Sequence, residues 1–270
     1  MMISSRDNPN IKQLVKLLTS KKERGESGLF VAEGMRICAD AIAEASAKKI
    51  EISEIFYTNQ VAEKLAQHHS FDCFESINDE TKIEISPELA DKISDTGATQ
   101  GVFVVIKKLD KSLSVDKIKG DGKYIILNNI QDPGNVGTII RTADAVGVDG
   151  IILTNNCCDV YNPKCVRSTM GSLFRRNIFI ENDFEKVVKL MSECSVKTMA
   201  AVVSDEAEDI TAVDFSCGCA VVIGNEGNGL SDVHVMLCDK RVTIKMKGNI
   251  NSLNAASAGT ILLWEMFRND

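Results

Sequence analysis

The chain has 270 residues, of which 44% are hydrophobic and 26% charged, and a formal net charge of −7. That length holds one large domain or two small ones, and the acidic balance argues against a protein that coats nucleic acid nonspecifically. No apolar run approaches the roughly 20 residues that span a bilayer, and residues 1–16 are polar, without a secretory h-region.

The first half alternates helical and extended patterns. Ile11, Leu14, Leu17 and Leu18 recur at three- and four-residue spacing, which predicts one helix over residues 9–24 with Pro9 in its first turn. A strand is expected at 29–32, an Ala-rich helix at 34–47, a strand at 52–58 and a helix at 60–68. An alternating strand at 71–77, a short helix at 87–94 and a buried strand at 102–106 follow. Residues 1–36 carry seven basic and four acidic side chains. Lys12, Lys16, Lys21, Arg24 and Arg36 are its candidate basic face, and a solvated helix face is the plainer reading of the same residues.

Residues 107–123 are rich in Lys, Asp, Ser and Gly and read as a linker or exposed connection. Expected boundaries are therefore 1–107, a linker at 108–122, and 123–270. Beyond it, nearly continuous apolar strands are expected at 124–128, 150–154, 177–180, 198–203, 220–223 and 241–246. Helices fall between them at 136–146, 163–174, 184–194 and 230–238, and a last helix runs over 253–267. Strands of this kind, separated by helices, predict an α/β domain with a parallel sheet covered on both faces. The last helix shows a stripe at Leu253, Ala256, Ser257, Thr260, Ile261, Trp264 and Phe267, with Asn251 or Ser252 as its cap. Residues 255–259 have so little bulk that another backbone can pack closely there. The nine cysteines include no Cys-x-x-Cys pair, so no metal site is expected. Cys217 and Cys219 read as core residues of one strand face, and the pattern fits a reducing cytosol.

Three Gly/Asn/Ser-rich segments sit where strands give way to loops or helices. The first is Asn128-Asn129-Ile130-Gln131-Asp132-Pro133-Gly134-Asn135-Val136-Gly137, with Arg141 behind it. It fits either a helix start whose amides face an anion or a plain strand–turn–helix with a surface Arg. The second, Ile223-Gly224-Asn225-Glu226-Gly227-Asn228-Gly229-Leu230-Ser231, is neither the dinucleotide fingerprint nor a P-loop. It fits a loop offering backbone groups to an adenosine or ribose, or a flexible turn with a solvated Glu. The third, Met246-Lys247-Gly248-Asn249-Ile250-Asn251-Ser252-Leu253-Asn254, leads into the last helix, where Ser252 also fits simple capping.

Together and in this order, the three segments closely resemble the motifs of the SpoU (TrmH) family of RNA ribose 2′-O-methyltransferases, of the SPOUT superfamily. Residues 167–176, containing Met170-Gly171-Ser172-Leu173-Phe174-Arg175, resemble the family's middle segment. Ile3-Ser4-Ser5-Arg6-Asp7-Asn8-Pro9 and Gly28-Leu29-Phe30-Val31-Ala32-Glu33-Gly34 resemble its N-terminal RNA substrate-binding domain. The resemblance implies a C-terminal α/β methyltransferase domain with a trefoil knot, and a smaller α/β, L30e-like N-terminal domain. It implies a homodimer in the cytoplasm, acting without metal or membrane on structured RNA, ribosomal RNA before transfer RNA. S-adenosylmethionine is the implied cofactor, held by Gly224, Asn225, Glu226, Gly227, Ile244, Met246 and Leu253. The implied catalytic group is Arg141, Asn135, Glu226, Ser252 and Asn254, with the basic residues of 1–36 on RNA. A nonenzymatic RNA-binding protein of the same fold, which would lose those polar side chains, is the reading from another class.

Overall fold

The computed structural model describes residues 2–65, 74–75, 77–94, 96–248, 250 and 252–269. The chain forms two compact units, Met1–Leu109 with Tyr161–Phe174, and Asp110–Val160 with Arg175–Asp270.

The first unit contains α1 (Pro9–Thr19), α2 (Lys21–Ser27), β1 (Leu29–Glu33), α3 (Met35–Ser46), β2 (Ile52–Tyr57), α4 (Asn59–Leu65), β3 (Lys82–Glu84), α5 (Pro87–Ile93) and β4 (Val102–Lys107). Its sheet has the order β1-β4-β2-β3, antiparallel except between β2 and β3. The helix expected over residues 9–24 is two. Ser20 ends α1 through its N–H on the Lys16 carbonyl, 2.9 Å, and caps α2 by accepting from Glu23 N at 3.2 Å. Ile11, Leu14, Leu17 and Leu18 are buried as the spacing requires. The strand expected at 71–77 falls mostly outside the described residues, and Phe74-Glu75 are helical.

This unit also takes a piece of the chain's second half. Tyr161 is fully buried with its ring 4.6 Å from that of Phe30, and its hydroxyl accepts from Leu109 N at 2.8 Å. The helix that follows, α7 in chain order (Pro163–Ser168), brings Arg167 Nη1 to within 3.4 Å of the buried Glu33 carboxylate. Ser94 and Thr96 hydroxyls donate to the other oxygen of Glu33. The expected helix over 163–174 thus stops early and resumes as a 3₁₀ turn at Ser172–Phe174.

The second unit contains β5 (Lys123–Asn128), α6 (Pro133–Val146), β6 (Gly150–Thr154), β7 (Ile178–Ile180), α8 (Phe184–Glu193), β8 (Lys197–Ala201), β9 (Glu208–Asp209), β10 (Cys219–Ile223), α9 (Asp232–Leu237), β11 (Lys240–Thr243) and α10 (Ala255–Phe267). The sheet is parallel throughout, in the order β7-β6-β5-β10-β8-β11-β9. On one face, Tyr124, Ile126, Ile152 and Val222 pack against Phe184, Val187 and Met191 of α8. On the other lie α6 and α10. Gly259 suits this contact, because a Cβ would stand 3.0 Å from Ile139 and 3.1 Å from Ile223 and those side chains would have to shift. The polar connection before β5 is not simply exposed: Leu113 and Ile118 are buried in the α8-side core.

Three expectations about side chains change. The face of α10 that is buried holds Ala255, Ala256, Gly259, Leu262, Leu263 and Met266, whereas Trp264 is 62% exposed. Its cap is Asn254, whose Oδ1 accepts from Ala256 N at 2.9 Å and Ser257 N at 3.3 Å; Asn251 lies outside the described residues. Cys219 is buried, but Cys217 lies before β10 begins and is exposed.

Candidate active site at the carboxyl ends of the central strands

The direction of strand addition reverses at β5. From β5 the chain builds outward through β6 and β7, then returns to place β8 and β10 on the other side. In open parallel sheets, the carboxyl ends of strands at such a switch point form the binding crevice. The first two motif segments follow the adjacent strands β5 and β10, so register alone makes them neighbours.

Their junction is built on one carboxylate. Glu226 accepts from Gln131 N (3.1 Å), Asp132 N (3.0 Å) and Asn135 Nδ2 (3.0 Å). Asn135 Oδ1 in turn accepts from Asn254 Nδ2 at 3.1 Å. One chain of hydrogen bonds therefore joins residues from all three segments. It also fixes which end of the Asn135 amide faces which partner. Asn225 Nδ2 donates to the Asn129 carbonyl at 2.9 Å, a second tie between the loops.

Each loop is shaped locally to make this possible. Asn129 takes a left-handed conformation, φ +59°, which Asn tolerates better than most residues. Asp132 caps α6, its Oδ1 accepting from Gly134 N (2.6 Å) and Asn135 N (3.0 Å). The amides left for an anion in the first reading of this turn are therefore held by Asp132. The loop after β10 closes on itself: Asn225 N donates to Gly229 O at 3.0 Å, and Gly229 N donates to Asn225 O at 2.8 Å. A Cβ on Gly224 would lie 2.3 Å from the Gly229 carbonyl carbon, so no side chain fits.

Beside this network lies a pocket of about 810 Å³. All seven residues expected at a cofactor, Gly224, Asn225, Glu226, Gly227, Ile244, Met246 and Leu253, line it. So does Ser252. The other walls come from residues 201–204, α9, Arg241, Val242 and the start of α10.

Of the expected catalytic residues, Asn135, Glu226 and Asn254 are joined directly. Arg141 is exposed on α6, outside the pocket lining, and among the described residues has no ion-pair partner. Of the expected RNA contacts, Lys12, Lys16, Lys21 and Arg36 are exposed or partly so. Arg24 is not: it is 3% exposed, and its Nη1 donates to the Leu17 carbonyl at 2.6 Å. It satisfies the end of α1, so it leaves the candidate basic face. Sequence reasoning missed the two backbone amides on Glu226. It also missed His234, whose ring nitrogens lie 3.3 and 3.2 Å from the amides of Asn128 and Asn155. The adjacent pair Asn128-Asn129 at a strand end was the available signal.

Burial alone would raise the Glu226 pKa. The hydrogen bonds from Asp132 N, the Asn135 amide and Gln131 N outweigh it and hold the carboxyl below 4.5. A group depressed in the fold stabilises it above its unfolded value and loses that contribution as pH falls through the folded one. Glu226→Gln is therefore expected to melt with a shallower acid limb than the parent below pH 4.5. Parallel acid limbs in thermal melts of the two proteins would show that the carboxylate does not tie the loops.

The SpoU rRNA Methylase family model matches residues 122–264, and the MRM3-like substrate binding domain model matches residues 8–104. A 23S rRNA (uridine(2479)-2′-O)-methyltransferase of Streptomyces viridochromogenes is 29% identical over 98% of this chain and 91% of its own length. The 23S rRNA (guanosine(2553)-2′-O)-methyltransferase RlmP of Bacillus subtilis strain 168 is 27% identical over 98% of both. The AdoMet-bound rRNA methyltransferase from Sinorhizobium meliloti has a TM-score of 0.81 at 29% identity, covering 99% of this chain and 97% of that one. The likeness thus runs along nearly the whole length of these proteins, through the parallel sheet and the three segments that build the polar network and its pocket, and the chain belongs to the SpoU rRNA methylase family.

Proposed function

We propose that the chain transfers a methyl group from S-adenosylmethionine to a ribose 2′-hydroxyl of ribosomal RNA. The observation that carries this is the pocket opening beside the Asn254–Asn135–Glu226 chain. Its lining suits the cofactor: backbone of residues 224–229 for polar edges, and Ile244, Met246, Leu253 and Leu262 for an apolar ring. Bound there, the cofactor supplies a methyl made electrophilic by its sulfonium centre.

The chain's own residues orient and stabilise. Asn135, locked between Glu226 and Asn254, presents a fixed amide toward the ribose. Arg141, whose guanidinium is a forked donor with no acceptor, acts as an electrophilic clamp on the 2′-oxygen and its phosphate. Glu226 stays ionised and serves as an acceptor that orders the loops. Two relatives that span nearly the whole chain are named for 23S rRNA, which supports ribosomal over transfer RNA. Their names differ in the base, so the reading commits to the ribose.

A knotted C-terminal path is part of this reading. It is supported by the insertion of β10 between β5 and β8 and by the return of Asn254 to the start of α6. The cysteine spacing, with no Cys-x-x-Cys pair, supports a reducing, cytosolic setting.

Radiolabelled methyl transfer to total RNA should yield alkali-resistant linkages. Arg141→Lys, which keeps charge and loses the fork, should lower kcat by about tenfold or more with cofactor affinity unchanged. Base-located label, or a Lys variant at parental turnover, would overturn the assignment. On the first unit, combined Lys12→Glu, Lys16→Glu and Lys21→Glu should weaken RNA binding and flatten its salt dependence by about 0.7 for each phosphate no longer neutralised. An unchanged salt slope would remove that face. The exposed Trp264 and Ile261 of α10 supply an apolar surface for a second copy of the chain. Light scattering should therefore give a dimer that Trp264→Glu converts to monomer, and a monomeric parent would refute the dimer.

A further inference from the structure

The middle segment of the family resemblance ends in Arg175-Arg176, which the reading above leaves without a task. Arg175 is the first residue of the second unit after the chain comes back from the first. Its Nε donates to Asp144 Oδ2 at 3.0 Å, and its Nη2 lies 2.9 Å from the same oxygen. Arg176 takes the other oxygen, Nε to Oδ1 at 2.6 Å, and donates through Nη1 to the Val148 carbonyl at 3.2 Å. One carboxylate thus faces two guanidiniums.

The two arginines differ in exposure. Arg176 is tied to a side chain and to backbone, and its side chain is 28% exposed. Arg175 is 37% exposed, on an Asp144 that is itself only 13% exposed. Asp144 lies three residues beyond Arg141 on α6, the spacing of surface neighbours on a helix. The helix therefore puts the Arg141 and Asp144 positions on neighbouring surface, and Arg175 is held on Asp144. Holding a guanidinium in place before RNA arrives removes part of the ordering cost of a contact, and its fork matches phosphate oxygens.

We propose that Arg175, held by Asp144 next to Arg141, binds a phosphodiester of the RNA beside the methylated nucleotide, as a positioning residue, while Arg176 anchors the chain to α6. This rests on the reading of the site as an RNA 2′-O-methyltransferase. The contact extends the positive surface from the reacting ribose along the strand.

The experiment compares the full-length parent with Arg175→Ala and Arg175→Lys, using ribosomal RNA lacking the modification. Arg175→Ala should raise KM for RNA by about tenfold, the worth of one charge-assisted contact. It should also reduce the slope of log affinity against log salt by about 0.7 to 0.9. Turnover at saturating RNA, cofactor affinity and melting temperature should stay at parental values. Arg175→Lys should restore the salt slope while recovering only part of KM, because the charge returns without the fork. An unchanged KM and slope in Arg175→Ala would overturn the proposal. So would a loss of cofactor affinity or melting temperature that Arg175→Lys fully repairs, since that marks a structural ion pair. A parent that methylates no RNA would instead refute the reading beneath it.

Discussion

The site depends on a single hydrogen-bonded carboxylate. Glu226 sits in a loop that leaves β10, and its partners Gln131, Asp132 and Asn135 belong to the turn and helix that leave β5. Two loops rich in small and turn-forming residues have many conformations of similar energy. A charged acceptor meeting two backbone amides and a side-chain amide selects one of them. The selected arrangement sets the Asn135 rotamer, and through Asn135 it reaches the cap of α10. Asn254 therefore does two jobs at once: its oxygen holds the first amides of the last helix, and its nitrogen closes the network.

Topology explains why these three segments are close although they are far apart in sequence. β5 and β10 are adjacent and parallel, with Leu127 beside Ile223, so their outgoing loops emerge side by side. The third segment reaches the same place because α10 packs on α6. The bulk-free stretch at residues 255–259 suits that packing, with Gly259 facing the side chains of Ile139 and Ile223. Lys123, at the start of β5, is buried and donates to the Met266 carbonyl at 2.6 Å, which ties the far end of α10 to the same strand. The helix is thus pinned at both ends: by Asn254 near the site and by Lys123 at the amino end of β5.

How legible all this was in the sequence depended on the kind of signal. Alternating apolar strands and helices pointed to the parallel sheet, because burial on both faces leaves a strong pattern. The face of α10 was misread because its sequence is apolar nearly all round. Periodicity then cannot choose a face, and close packing buried the small side while Trp264 stayed outside. The break at Ser20 was legible in principle, since Ser20-Lys21-Lys22-Glu23 is a helix-start pattern inside a helical run. Arg24 shows the reverse difficulty. Its charge suggested a solvent face, but its position just past α1 placed it where unsatisfied carbonyls needed a donor. Seven of the pocket-lining residues were named only through motif resemblance, because residues at loop positions carry no periodicity.

The protonation states also constrain what the site can contribute. An arginine does not give up its proton in a protein, and Glu226 has most of its acceptor capacity committed to three donors. Neither is suited to remove a proton from a sugar hydroxyl that is itself a weak acid. On the proposed reading, the chain instead works by geometry and charge: the amide of Asn135 fixes the direction of the hydroxyl, and Arg141 stabilises the oxygen as it becomes negative. With the cofactor bound, the hydroxyl proton would pass to solvent water as the oxygen grows more acidic, and no side chain would need to accept it. A site of this kind needs rigid loops more than it needs a strong base, and the Glu226 network supplies that rigidity.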